Sequence, residues 1–225
     1  LQHTSNRLDG TDYYAVTEPY RINSLYFLIG LFLFCVVVFG GKQGVRGLVT
    51  LMGSLLLIFF VLFPGIIKGF SPVLLSAAVA AMIIIVGSYV THGFNRTTTS
   101  AVLGMLATIL VTGTLAHVAV KMTRLRGLET EDAMYLNLNM QGSIDLVGLL
   151  LGGILIGLLG VLYDAAIGQA VAVEELRRAG PDLSARHVCV RALRIGREHI
   201  GALVNILALA YVGAALPLLL LFYTS

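Results

Sequence analysis

The 225 residues are 57% hydrophobic and only 12% charged, with a mean hydropathy of +0.90. Soluble domains average roughly 25% charged residues, so the composition excludes a soluble globular protein and points to an all-α, polytopic membrane helix bundle. The net charge of +3 comes from Lys and Arg gathered beside apolar segments, a pattern of membrane topology rather than of nucleic-acid binding, and no nucleic-acid partner is expected.

In chain order, residues 1–22 are polar, carry Asp9, Asp12, Tyr13, Tyr14 and Glu18, and start without Met or a signal peptide. They are expected to be the extracytoplasmic remnant of a longer N-terminal region, ahead of a transmembrane domain over 23–225. Six apolar segments follow, at about Leu25–Phe39, Leu48–Phe63, Val73–Val90, Ala101–Val120, Leu146–Val173 and His199–Phe222. A membrane crossing takes ~20 residues, so six transmembrane helices are expected, the first two borrowing flanking residues. Gly40, Gly41, Gly44 and Gly47 predict a tight helical hairpin between the first two, and Pro64 and Pro72 bracket the connection between the next two. Thr130-Glu131-Asp132 reads as the cap and acidic first turn of a short surface helix.

The fifth segment continues as helix through Glu174–Arg178 until Gly180-Pro181 ends it. Asp182 is then expected to cap a basic helix, Leu183–Arg197. That helix carries Arg186, His187, Arg191, Arg194 and Arg197 on one side and apolar residues on the other. It reads as an inner interfacial amphipathic helix over 182–198. Nine basic residues on the side of Lys42, Arg96 and Arg177 against six on the side of Lys68 and Lys121 orient both ends of the chain outside the cell membrane.

The candidate site lies in the fifth and sixth segments. Gly153, Gly157, Gly160, Asp164, Gly168, Val171 and Glu175 recur at helical spacing, so they share one face. Arg191, Arg194, Glu198, Gly201 and Asn205 form a second stripe, and a hairpin would bury the two stripes together. A carboxylate inside an apolar segment costs roughly 2.5–3.5 kcal/mol on insertion scales and usually lines a pathway or finds a partner. Asp164, Asn205, Gly160 and Gly168 are therefore the polar-path candidates, and Glu175, Arg191, Arg194, Glu198 and His199 the cytoplasmic-mouth candidates. Blander roles stand beside each: Asp164 as an acceptor at a wet helix boundary, Glu175 clamped by Arg191 or Arg194, Arg194 paired with Glu198, Asn205 as interhelical glue. Gln169 and Glu174 lie off the Asp164 face and are assigned to other contacts or to the headgroup region. His92-Gly93-Phe94-Asn95-Arg96 suits an anion site or simply a turn, and His117 with Thr112 and Thr114 suits a polar patch between helices.

No metal site or cofactor is expected, because the histidines are scattered and Cys35 and Cys189 belong to no ligand pattern. Nor is an enzyme. Tyr163-Asp164 lacks the second membrane aspartate that shared-proton chemistry needs, and neither Ser54 nor Ser88 sits in a nucleophile elbow.

The run LGVLYDAAIGQAVAVEEL (159–176), the stretch from Arg191 to Phe222, His92-Gly93-Phe94-Asn95-Arg96-Thr97, and Gly127-Leu128 with Glu131-Asp132-Ala133 together resemble the YibE/F-like family of bacterial membrane proteins. The resemblance covers most of the chain from about Tyr13. It implies a multi-span fold preceded by a further N-terminal span and an extracytoplasmic domain. The chain departs from the family in carrying Tyr163 where members have an acidic residue, and Ile206 where they have Thr, which speaks against a paired-carboxylate role. Two functions are expected from these features. One is a transporter or permease subunit moving an ion or small solute past Asp164 and Asn205. The other is a scaffold engaging partners or lipid through an outer domain and a basic inner helix, with the bilayer and a homo-oligomer or membrane partner as its contacts.

Overall fold

The computed structural model describes residues 2–5, 12–15, 22–128 and 130–224. The N-terminal remnant expected over 1–22, with Arg7, Asp9, Glu18, Tyr20 and Arg21, lies mostly outside the described residues. Two strands remain there, β1 (Gln2–Ser5) and β2 (Asp12–Ala15), paired antiparallel with His3 opposite Tyr14. The rest of the described chain is helical. It divides into two units, Leu1–Arg46 and Gly47–Ser225.

Among the described residues five helical stretches are long and apolar enough to cross a membrane, the first of them Ile22–Ile67. This stretch holds both of the first two expected spans. Its 46 residues are more than twice the ~20 that one crossing takes. It comprises α1 (Ile22–Leu57), a π-helical turn (Ile58–Leu62) and α2 (Phe63–Ile67). The glycine cluster does not form a separate loop; α1 breaks at one residue, Gly41, with φ 53° and ψ −138°. Three residues on, a Cβ at Gly44 would strike the Val36 carbonyl, although a straight helix would hold positions 36 and 44 about 12 Å apart. The bend at Gly41 is therefore sharp. Pro64 stands in the first turn of α2 rather than outside the helix. Its missing N–H leaves the Phe60 carbonyl, four residues back, without its usual donor. The Phe63 N–H bonds to Ile58 O, five residues back, the spacing of a π-turn.

In the second unit α3 (Pro72–His92), α4 (Arg96–Thr123) and α6 (Leu146–Ala179) pack against one another. Their core is Ala80 and Ile84 from α3, Ala101, Val102, Met105 and Ile109 from α4, and Leu155 and Leu159 from α6. A smaller cluster seats Leu62 and Ile66 on Val79. Small residues let the backbones approach: at Gly152 an added Cβ would meet the Ser76 side chain and Pro72 O at 3.3 Å.

The ends of these helices follow local chemistry. Asn95 Oδ1 accepts from Thr98 N at 2.7 Å, and Gly93 turns the chain at φ 79°, so His92–Arg96 forms the expected turn. Thr130 caps the short α5 (Glu131–Asn139), as its sequence predicts. Gly180 closes α6. The helix after it starts later than expected: Ser184, not Asp182, is the N-cap of α7 (Ala185–Ala214). α7 runs without a break through the region expected as a separate interfacial helix and into the last span. The interruption falls instead at Ala215, where Pro217 in the first turn of α8 (Leu216–Tyr223) cannot continue the ladder.

Candidate functional site

α6 has two unlike faces. Leu146, Gly148, Leu151, Gly152, Leu155 and Leu159 are buried against α3 and α4. Gly153, Gly157, Gly160, Asp164, Gly168, Val171 and Glu175 are all exposed, so the shared face expected from their spacing exists. It is not the surface that α7 covers. A Cβ at Gly153, Gly157, Gly160 or Gly168 would meet nothing within 4 Å. α7 instead touches the off-face residue Gln169, whose Nε2 donates to Ala192 O at 2.8 Å. Val188 and Ala192 are the buried residues of α7.

The expected burial of the two polar stripes against each other is therefore absent. Arg191, Arg194, Glu198, His199, Gly201 and Asn205 are exposed along α7. Glu175 pairs with Arg178 one turn on, at 3.3 Å, rather than with Arg191 or Arg194. α7 meets α6 through Ala192 against Gln169, and its stripe lies off that contact. His117 is exposed as well, so no polar patch is buried around it among the described residues.

Asp164 and Gly160 do come together with other polar groups, from a direction that the sequence stripes do not reveal. They line an open cleft of about 410 Å³ with Thr50 and Ser54 of α1, Thr91 of α3 and Tyr163. The walls around these groups are apolar, including Leu55, Ile58, Ile83, Ile156 and Leu159. Thr50 Oγ1 and Thr91 Oγ1 hydrogen-bond at 2.9 Å, and Ser54 Oγ donates to Thr50 O at 2.9 Å. The Tyr163 hydroxyl is buried without a hydrogen-bond partner, and its ring lies 6.0 Å from that of His92. The cleft thus sets one exposed carboxylate beside three hydroxyl-bearing residues, Thr50, Ser54 and Thr91, inside an apolar setting, a set suited to a cation or to the polar groups of a small solute. Thr50, Ser54 and Thr91 were not sequence candidates. The available signal was two hydroxyls one helical turn apart, at 50 and 54, within an apolar run.

At the far end of α6, Glu174 accepts a 2.6 Å hydrogen bond from Thr97 Oγ1 and pairs with Arg178. Gln169 and Glu174 therefore serve the contacts off the Asp164 face that their positions predict.

Five helical stretches among the described residues are long and apolar enough to cross a membrane, and their outer faces suit a lipid bilayer. The model of the YibE/F-like protein family matches residues 28–225, and the chain belongs to that family. No curated protein and no solved structure matches it.

Proposed function

We propose that the chain is a transporter or permease subunit that passes a small ion or polar solute through the cleft at Asp164. The observation that carries this reading is the convergence of Asp164 with Thr50, Ser54, Thr91 and Tyr163 around one open cleft between apolar helices. Polar groups at such depth are costly, so they are kept where they line a path or hold a ligand. The break at Gly41 divides the first long stretch into two crossings, making six, with both ends outside and α7 entering from the cytoplasmic side. Asn205 and the Arg191, Arg194, Glu198 and His199 group lie outside this cleft and have no part in this reading.

Flux into proteoliposomes, measured against a panel of ions and small solutes, tests the reading. Asp164→Asn should assemble normally and lose transport, since the amide keeps the volume but removes the charge. Unchanged flux in the Asn variant removes Asp164 from the path. Labelling of Cys189 from outside intact cells would reverse the orientation.

A second reading, a scaffold for a membrane partner or a second copy, is favoured by the open glycine face of α6 and the exposed length of α7. It requires the purified chain to show no flux for any solute while Gly157→Leu breaks an assembly.

A further inference from the structure

We infer that the hollow between the first turn of α4 and the last turns of α6 is a site for the phosphate headgroup of an anionic phospholipid. It measures about 530 Å³ and is lined by Arg96, Thr97 and Ser100 on one side and Glu174, Arg177 and Arg178 on the other. Ala170 and Val173 form its apolar part.

The charge balance in the hollow selects an anion. Its one carboxylate, Glu174, is already engaged by the Thr97 hydroxyl and by Arg178. Among the described residues Arg96 and Arg177 have no ion pair, which leaves two guanidiniums facing one space. Guanidinium forks match phosphate oxygens in bidentate geometry, and the Ser100 hydroxyl adds a donor.

The depth of the hollow selects a lipid over a dissolved anion. Arg96–Ser100 immediately precedes the apolar run Ala101–Val120, whose 20 residues span about 30 Å, the thickness of the hydrocarbon core. The two arginines therefore stand at headgroup level, where anionic lipid concentrates beside basic pockets. Ala170 and Val173 offer apolar wall to the start of an acyl chain. This site does not depend on whether the chain transports anything.

Thermal unfolding of the detergent-purified full chain tests the proposal, with short-chain phosphatidylglycerol, short-chain phosphatidylcholine or inorganic phosphate added. Phosphatidylglycerol should raise the melting temperature by several degrees and the other two should not. The rise should vanish in Arg96→Gln/Arg177→Gln and persist in Arg186→Gln/Arg191→Gln, which removes the same charge from α7. Native mass spectrometry of the same samples should show anionic lipid retained by wild type and lost from the Arg96/Arg177 variant, a readout that holds even if that variant is less stable. An equal rise with phosphatidylcholine would overturn the headgroup assignment. An equal rise with inorganic phosphate would make the site one for free anions. Equal loss in both double variants would reduce the effect to general surface charge.

Discussion

The Thr97 hydroxyl and the Glu174 carboxylate, 77 positions apart in the chain, meet in a 2.6 Å hydrogen bond that ties the start of α4 to the end of α6. Hydrogen bonds to a charged acceptor are shorter and stronger than neutral ones. Thr97→Val should lower the melting temperature of the purified protein, and Thr97→Ser should restore it. A valine variant as stable as wild type would mean that core packing alone holds these ends together.

Inside the cleft, Thr50 and Thr91 supply each other's hydrogen bond, and Thr91 is only 7% exposed. Thr50→Val leaves a nearly buried hydroxyl without this partner and should cost about 1–2 kcal/mol. Thr50→Val with Thr91→Val removes both polar groups and should cost less than the two single changes summed. Denaturation of all four proteins gives the coupling directly. Strict additivity would deny that the two hydroxyls interact.

The two faces of α6 predict opposite outcomes for one substitution. Gly152→Ala drives a methyl into Ser76 and Pro72 O and should destabilise by about 1–3 kcal/mol, as overpacking does. Gly157→Ala faces open space and should be neutral or gain up to ~1 kcal/mol from helix propensity. Melting temperatures decide it. Equal losses at both positions would show that a partner covers the glycine face in the assembled protein.

At Gly41 the backbone adopts φ 53° with ψ −138°, a region that side-chain-bearing residues occupy only at a cost of about 1–3 kcal/mol. Gly41→Ala should relieve that strain by straightening the helix. The distance between spin labels at Leu33 and Val45 should then lengthen toward the ~18 Å between these backbone positions in a continuous helix. No change in the label distance would place the bend under the control of packing rather than of the glycine.

Periodicity and composition were enough to show apolar membrane-type helices, the end of α6 at Gly180, the turn at His92–Arg96, the cap at Thr130, and the common face of Gly157, Gly160, Asp164 and Glu175. All of these depend on near neighbours in the chain: a 100° turn per residue, a missing Cβ, a side chain reaching its own backbone three residues on. The partner of each face is not local information. A stripe of glycines looks the same whether a helix covers it or not, and only the docking of α7 through Gln169 and Ala192 left both the Asp164 stripe and Asn205 exposed. The cleft arises in the same way. Thr50, Thr91 and Asp164 lie on three separate helices, and they line one space only because α3 packs on α6 and the Thr50–Thr91 hydrogen bond joins α1 to α3 there.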